Sequence, residues 1–272
     1  MPELPEVETT RQGISPHIQG RKVTDVIIRQ HQLRWPIDAQ LPGYIQHKKL
    51  LHIDRRGKYL LLAFKHGHLL IHLGMSGSLR IVNPKQQPAQ KHDHVDIIFS
   101  GQYGLRFHDP RRFGSIVWTN EDPLTHKLLV KLGPEPLSDE FSADYLFAAS
   151  RKRKKEVKTL IMDSHMVVGV GNIYANESLF SAGIRPTKVA AKLTHKQCEL
   201  WVKEIKRILQ RSITQGGTTL RDFVGGDGKP GYFSQQLNVY GRAGKPCVNC
   251  NKPLKEIRQA QRTTVYCIQC QK

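Results

Sequence analysis

Apolar and polar residues alternate with a period of two from about residue 22 to residue 119, in short runs that turn residues interrupt. The runs "KYLLLAF" and "HLLIHLG" flank a turn at "KHG", and "HVDIIFS" and "LRFHD" flank "GQYG". Such runs joined by tight turns are typical of antiparallel strands with one buried face. The pattern predicts an antiparallel β-sandwich, preceded by a helix over residues 3–12.

The pattern becomes helical in the second half of the chain. Residues 150–163 have a basic start and an apolar finish. A later stretch carries an apolar stripe at helical spacing, and Thr194 with Gln197 has the pattern of a capping box at its start. The stripe consists of Cys198, Trp201, Val202, Ile205, Ile208 and Leu209. Cys198 is therefore predicted to be a core residue and not a nucleophile.

Composition divides the chain into four segments of a multidomain α+β protein. The sandwich is assigned to residues 1–135, and the proline- and acid-rich passage "LGPEPLSDEF" marks residues 136–150 as a linker. A helical domain is assigned to residues 151–237. Its glycine-rich stretch predicts a mobile functional loop over about residues 216–234. Residues 238–272 form a cysteine-containing module.

The charge of the chain indicates a polyanionic partner. The 42 Lys+Arg residues exceed the 23 Asp+Glu residues, which gives a formal charge of +19 and a pI near 9.9. A field of this sign attracts phosphates, and nucleic acid is the first candidate. Because no apolar run is long enough for a bilayer and the acidic N-terminus does not look like a secretory signal, we expect a cytoplasmic protein with no membrane partner. Charge alone predicts binding, as in a ribosomal or chromatin component, and not catalysis.

Four of the five cysteines follow the spacing C-x2-C-x16-C-x2-C, at Cys247, Cys250, Cys267 and Cys270. Each C-x2-C pair supplies two thiolates from one turn, so two turns complete a tetrahedron of ligands. Two disulfides are the alternative, which the missing secretion signal disfavours. The spacing predicts one structural Zn²⁺ ion.

Two turns in the first half of the chain could reach into a nucleic acid. Arg111 and Phe113 in "HDPRRFG" and Met75 in "LGMSGS" combine a planar guanidinium with apolar side chains that can enter a base stack. Taken singly, Met75 and Phe113 fit a hydrophobic core better. The neighbouring arginines and the basic charge favour contact with DNA.

Three further motifs have two interpretations each. Asn172 ends "GVGN", a turn that either presents backbone N–H groups to a phosphate or only joins two helices. His92 and His94 in "KHDHVD" could bind a metal, although a phosphate contact fits the charge better. Lys58 in "RRGKYL" is either a solvated charge at a strand end or a reactive lysine.

The stretch "MPELPEVETT" also has two interpretations. Proline suits the first turn of a helix and carboxylates suit the positive end of its dipole, so helix chemistry explains Pro2 and Glu3. The second interpretation is chemical. Removal of Met1 leaves the secondary amine of Pro2 beside a carboxylic acid.

Together and in this order, these motifs resemble those of bacterial formamidopyrimidine-DNA glycosylases. The resemblance rests on "PELPEVET", "RRGKYL", "HLGMSGSLR", "KHDHVD", "DPRRFG", "VVGVGNIYANE", "GGTTLRDF", "GKPGYF" and the four-cysteine module, and covers essentially the whole chain. It implies a β-sandwich with a leading helix, then a helix–two-turn–helix domain with a C4 zinc finger. It also implies a monomeric bacterial enzyme, associated with the nucleoid, that excises 8-oxoguanine and formamidopyrimidines from double-stranded DNA and then cuts the strand by β,δ-elimination.

The resemblance assigns roles to the matching residues. Pro2 would attack C1′ of the damaged nucleotide, Glu3 would assist sugar opening, and Lys58 matches the active-site lysine. Met75, Arg111 and Phe113 would fill the gap left by the flipped nucleotide, with Arg111 facing the orphaned cytosine. The residues that would contact phosphate are His92, Arg153, Lys158, Asn172 and the zinc-finger arginine Arg262. The resemblance also places Arg262 among the catalytic residues. Arg153 stands where the family usually has lysine.

Two other functions stay open at this point. An endonuclease VIII-like glycosylase for oxidised pyrimidines shares Pro2, Glu3 and the zinc finger, but the motifs around Met75 and Phe113 fit the purine enzyme better. A non-catalytic zinc-finger DNA-binding protein explains the charge and the cysteines. It leaves Pro2, Glu3 and Lys58 without a role.

Overall fold

A computed structural model describes residues 1–217 and 237–272 of the chain. These residues form two compact units. Met1–Lys131 with residues 215–217 make up the first unit, and Leu132–Thr214 with residues 237–272 make up the second. The loop predicted over residues 216–234 lies, beyond Gly217, outside the described residues. Within the described ranges, no helix is both long and apolar enough to cross a membrane.

The first unit is rich in strands and the second is mostly helical, as the periodicity predicts. The helices are α1 (Leu4–Ile18), α2 (Leu41–Ile45), α3 (Ala143–Ser150), α4 (Val157–Ile161), α5 (Asn172–Ser181) and α6 (His195–Thr214), with 3-10 turns at Pro123–Thr125 and Ala190–Lys192. The strands are β1 (Val23–Ile28), β2 (His52–Arg56), β3 (Tyr59–Phe64), β4 (Gly67–His72), β5 (Ser78–Val82), β6 (Asp93–Phe99), β7 (Tyr103–His108), β8 (Ser115–Thr119), β9 (Lys255–Gln259) and β10 (Arg262–Tyr266).

Two antiparallel sheets form the body of the first unit. One has the strand order β1-β6-β7-β5 and the other the order β2-β3-β4-β8. The β3–β4 hairpin turns between the paired residues Phe64 and Gly67, inside the predicted "KHG" turn. Buried side chains of α1 and of both sheets, such as Ile14, Leu62 and Phe107, share one hydrophobic core. The predicted sandwich with a leading helix is confirmed.

Helix α1 is longer than the predicted span of residues 3–12. It continues through Gly13 to Ile18. A glycine inside a helix costs about 1 kcal/mol relative to alanine. Ile14 and Ile18 are fully buried, and burial of such a side chain contributes about 1.5–3 kcal/mol. Packing against the sheets therefore outweighs the break that the glycine signals.

The second unit differs from prediction around the linker assigned to residues 136–150. Helix α3 occupies Ala143–Ser150, and the Ser142 hydroxyl caps it by accepting a hydrogen bond from the Tyr145 N–H at 3.1 Å. Leu146 and Phe141 are fully buried. Their burial makes this segment part of the second unit, although its proline- and acid-rich composition resembles a linker.

Helix α6 carries the predicted apolar stripe. Its capping box is present: the Thr194 N–H donates to the Gln197 side chain and the Gln197 N–H donates to the Thr194 hydroxyl, both at 3.2 Å. Cys198 is fully buried, and burial raises the pKa of its thiol to about 11. The prediction of a core cysteine is confirmed. In the basic stretch 150–163, by contrast, α4 is only Val157–Ile161.

Candidate functional site

The start of α1 holds Pro2 and Glu3 in buried positions. Glu3 is the N-cap residue and is 2% exposed. Its backbone N–H donates to the carboxylate of Glu6 at 2.8 Å, and the Glu6 backbone donates back to the Glu3 side chain, which completes a capping box. Glu6 itself is fully buried. The helix chemistry proposed for this motif is real, and it also fixes the backbone next to Pro2.

A second set of contacts joins the first turns of α1 to strand β2. The Glu8 carboxylate accepts hydrogen bonds from Arg11 at 2.7 Å and from Arg55 at 3.0 Å. Burial alone would raise the pKa of Glu8, but the hydrogen bonds and charges of the two arginines outweigh it, so the net pKa is lowered. Lys58 lies close by in sequence, in the tight turn that connects β2 to β3. Helix α1 and the strand that leads to Lys58 are thus held together.

His72 lies close enough to Lys58 to feel its charge. Burial, followed by the positive charges of Lys58 and Arg34, lowers the pKa of His72 to about 4. The ring is therefore neutral near pH 7, and its Nδ1 accepts a hydrogen bond from the Gly74 N–H at 3.0 Å. A neutral histidine thus supports the start of the turn that carries Met75.

The structure brings the Met75 turn and the Phe113 turn together. Gly74 has a φ of +66°, and a Cβ built there would overlap Gly114 N and lie 2.5 Å from Phe113 C, so the close approach requires glycine. Phe113 is 44% exposed, and its ring centroid lies 4.8 Å from the guanidinium carbon of Arg111. Met75 is partly buried. The core interpretation is wrong for Phe113, which stands at the surface with a cation stacked on it.

His92 and His94 lie in different environments. His94 is buried, and its Nε2 donates to the Asp109 carbonyl oxygen at 2.8 Å. His92 adopts a left-handed backbone with a φ of 74°. Burial and then the charges of Lys91, His108, His94 and Arg112 lower its pKa. Across residues 1–217 and 237–272, no metal-binding cluster of three or more His, Cys, Asp or Glu residues includes either histidine.

In the second unit, "GVGN" leads directly into α5. Gly171 is the N-cap residue and Asn172 is the first helical residue. The turn therefore lies at a helix N-terminus, which is the location that the phosphate-binding interpretation requires. Arg153 is exposed in the turn after α3, where its N–H donates to the Ser150 carbonyl oxygen at 3.0 Å.

Lys158 and Arg262 line one cavity of about 280 Å³ in the second unit. Arg262 is exposed at the start of β10. Lys158 is only 1% exposed, and its Nζ donates to the Thr263 carbonyl oxygen at 2.9 Å and to the Thr264 hydroxyl at 2.6 Å. Lys158 thus anchors α4 to the β9–β10 hairpin, a role that its sequence context does not indicate. Its phosphate contact stays a prediction.

The four predicted zinc ligands converge. One Sγ atom from each of Cys247, Cys250, Cys267 and Cys270 lies within 4.8 Å of the others, with Cys250 and Cys267 3.4 Å apart. These separations are too long for disulfides and bracket the roughly 3.8 Å that four thiolates about 2.3 Å from a tetrahedral zinc would have. The cysteines fit one structural zinc ion, as predicted. With all four positions taken by protein, the ion stabilises the module and leaves no open position for a substrate.

Sequence reasoning missed Glu177, which connects α5 to the zinc-binding module. This carboxylate is 2% exposed. It accepts hydrogen bonds from the backbone N–H groups of Asn238, Val239 and Tyr240 at 2.8–2.9 Å. Burial raises its pKa against the opposing effect of these three donors. The only signal in the sequence is a glutamate between the apolar residues at the two ends of "YANESLF".

Comparisons with known proteins match the chain along its length. Three family models match consecutive segments: the formamidopyrimidine-DNA glycosylase N-terminal domain over residues 1–116, its H2TH domain over 132–224, and the zinc finger found in FPG and IleRS over 244–272. Formamidopyrimidine-DNA glycosylases of Saccharophagus degradans and Cellvibrio japonicus are 63% and 62% identical to it, each comparison covering 100% of both chains.

Solved structures agree with these relatives. The MutM (Fpg) protein of Thermus thermophilus is 35% identical with a TM-score of 0.88, over 99% of this chain and 98% of that one. A variant of the Lactococcus lactis Fpg, solved in complex with a Fapy-dG containing DNA, is 32% identical with a TM-score of 0.93, over 99% of both chains.

Proposed function

Because this chain belongs to the formamidopyrimidine-DNA glycosylase family, we propose that its nucleophile is the amine of Pro2. The chain is a DNA glycosylase for oxidised purines in base excision repair, and AP lyase activity is the known second activity of the family. The observation that carries this assignment is the agreement of three family models and of full-length relatives along one chain. This agreement disfavours the pyrimidine-specific and non-catalytic alternatives.

The proposed chemistry begins with removal of Met1, because the Pro2 nitrogen is otherwise an amide. An α-amine has a reference pKa of about 7.7–8.0, against about 10.4 for lysine, so a useful fraction is neutral at cellular pH. The Pro2 nitrogen attacks C1′ and loses its proton, while the bond from C1′ to the damaged base breaks and the base leaves with a proton. Opening of the sugar ring gives an iminium ion between Pro2 and C1′.

Elimination follows from the iminium ion. Its positive charge acidifies the C2′ proton, and loss of that proton expels the 3′ phosphate. A second elimination expels the 5′ phosphate, and water then releases the sugar fragment and regenerates the amine. Glu3 is adjacent to the nucleophile and is the proposed proton-transfer group during sugar opening. Lys58, on the turn tied to α1 through β2, is the proposed second proton-transfer group.

The remaining residues are proposed to hold the DNA. A nucleotide must leave the duplex before C1′ can be reached, which costs a few kcal/mol of unstacking and unpairing. Met75, Arg111 and Phe113 would replace the lost stacking, with Arg111 facing the orphaned cytosine. The exposure of Arg111 and Phe113, on a turn packed against the turn of Met75, supports this role. The proposed phosphate contacts are His92, Arg153, Lys158, Asn172 and Arg262. We also place the enzyme, as a monomer, on the nucleoid in the bacterial cytoplasm.

One experiment tests the function against both alternatives. The purified protein is incubated with a duplex carrying 8-oxoguanine opposite cytosine or thymine glycol opposite adenine, with and without borohydride. We expect faster cutting of the 8-oxoguanine duplex and a borohydride-trapped covalent adduct. Faster cutting of the thymine glycol duplex would indicate a pyrimidine enzyme, and DNA binding without any adduct would indicate a non-catalytic protein.

A further inference from the structure

Asp109 is a fully buried carboxylate that directly follows strand β7. Within residues 1–217 and 237–272, it forms no ion pair with a lysine, arginine or histidine. A buried carboxylate without a counter-charge is costly unless N–H and O–H donors satisfy it. The groups that donate hydrogen bonds to Asp109 therefore explain why a carboxylate is tolerated there.

The side chain of Asp109 bridges two turns that are distant in sequence. Its Oδ1 accepts a hydrogen bond from the Ser76 hydroxyl at 2.9 Å, and its Oδ2 accepts one from the Gly114 N–H at 2.8 Å. Ser76 directly follows Met75, and Gly114 directly follows Phe113. One carboxylate thus holds both turns that carry the proposed gap-filling side chains.

The main chain of Asp109 adds a third segment. Its N–H donates to the His92 carbonyl oxygen at 3.0 Å, and its own carbonyl oxygen accepts from the Arg112 N–H at 3.2 Å and from the His94 ring at 2.8 Å. The segment with His92 and the turn with Arg111 are therefore joined at the same residue. In the first unit, each residue proposed to fill the gap or to contact phosphate is a hydrogen-bond partner of Asp109 or lies next to one in the sequence.

Tight packing around Asp109 fixes the positions of these turns relative to each other. A Cβ built on Gly114 would lie 2.6 Å from the Phe107 ring, 2.8 Å from the His72 carbonyl oxygen and 3.1 Å from Asp109 Oδ2. With Gly74 packed equally closely against Phe113, one turn cannot shift without the other.

We propose that Asp109 is a positioning residue that holds Met75, Arg111 and Phe113 in fixed relative positions for entry into the duplex. The proposal rests on the proposed function, and it separates duplex opening from bond chemistry. A damaged base must be extruded from a duplex, whereas an abasic site in a single strand is already accessible. Loss of these fixed positions should slow excision of the damaged base from the duplex. It should leave cutting at the single-stranded abasic site unchanged.

The test compares Ser76→Ala, Asp109→Ala and Asp109→Asn under single-turnover conditions. The substrates are a duplex with 8-oxoguanine opposite cytosine and a single strand with one abasic site. For Ser76→Ala and Asp109→Ala we expect excision from the duplex to fall about tenfold to a hundredfold, as misplacement by about 1 Å can cause. Strand cutting at the single-stranded abasic site should stay within about twofold of wild type, since the reacting groups are unchanged.

Asp109→Asn is the conservative rescue. Its carbonyl oxygen can accept from the Gly114 N–H while its amide donates to the Ser76 hydroxyl, so duplex excision should recover to within about threefold of wild type. A 2-aminopurine next to the lesion should brighten during opening with wild type and Asp109→Asn, and brighten more slowly with Ser76→Ala. Ser78→Ala is the matched control, because this buried serine makes no side-chain hydrogen bond within the described ranges.

The outcomes separate the two proposals. Ser76→Ala changes one hydroxyl and decides the question if Asp109→Ala does not fold. Unchanged duplex excision by Ser76→Ala, or an equal loss on both substrates, would overturn the positioning role of Asp109. A wild-type protein that cuts neither substrate would instead overturn the proposed function.

Discussion

At the scale of single residues, the first turn of α1 has two compatible uses. Glu3 and Glu6 form a capping box that stabilises the helix start. The same hydrogen bonds fix the backbone next to Pro2, and the proposed chemistry needs that fixed position. The structural and chemical interpretations of this motif therefore support each other.

Sequence reasoning found residues whose neighbours are local, and it missed those that depend on distant ones. Pro2, Phe113 and the cysteines stand in motifs that show their context. Asp109 meets Ser76 across 33 residues, and Glu177 meets Asn238 across 61. The hydrophobic periodicity of a sequence does not indicate which N–H or O–H group a buried carboxylate will contact.

His72 makes the stability of the first unit depend on pH. Its pKa is about 4 in the folded chain against an ordinary 6.5, so the unfolded chain binds more protons between these values. Stability must then rise from pH 4 to pH 6.5 and fall as the pH drops through that window, with a slope of up to about 1.4 kcal/mol per pH unit for one proton. His72→Asn keeps an acceptor for the Gly74 N–H without titrating, so its unfolding free energy should fall less between pH 7 and pH 5.

Urea unfolding at the two pH values measures this difference. His66→Asn, at the exposed β3–β4 turn, is the matched control and should follow the wild type. Equal pH slopes for wild type and His72→Asn would contradict a histidine that stays neutral in the folded chain.

At the scale of elements, the hairpins and α6 follow from sequence because each has a strong local period and clear ends. Helix α3 does not follow from sequence. The segment before it is rich in proline, and no local pattern indicates the Ser142 cap or the burial of Leu146. The extension of α1 beyond Gly13 is likewise decided by packing. These differences arise where tertiary burial outweighs local propensity.

The junction between α5 and the zinc-binding module should depend on Glu177. Glu177→Gln replaces one of the two acceptor oxygens with a donor that faces the N–H groups of residues 238–240. We expect the second unit to lose about 2–3 kcal/mol of unfolding free energy and zinc to transfer faster to a chromogenic chelator. Denaturant unfolding and stopped-flow chelation measure the two effects.

The control is Glu199→Gln on the outer face of α6, an acid whose side chain is 58% exposed. It should change stability by less than about 0.5 kcal/mol. Zinc release from Glu177→Gln at the wild-type rate would show that the module holds its metal without this anchor.

At the scale of the whole molecule, the proposed functions divide between the two units. The first unit contains the residues proposed to react, Pro2, Glu3 and Lys58, and those proposed to fill the gap. The second contains three proposed phosphate contacts, Arg153, Asn172 and Arg262. The order of motifs was enough to predict the family, which the comparisons confirm. It could not show that Lys158 is buried against the β9–β10 hairpin, because that contact spans more than 100 residues.

The central claim is that the processed N-terminus carries the reaction. Borohydride-trapped adduct with 8-oxoguanine DNA, digested and sequenced by mass spectrometry, locates the covalent bond directly. We predict a sugar remnant on the nitrogen of Pro2, and no adduct from protein that retains Met1. An adduct on a lysine, or normal trapping by the Met1-bearing protein, would contradict the account.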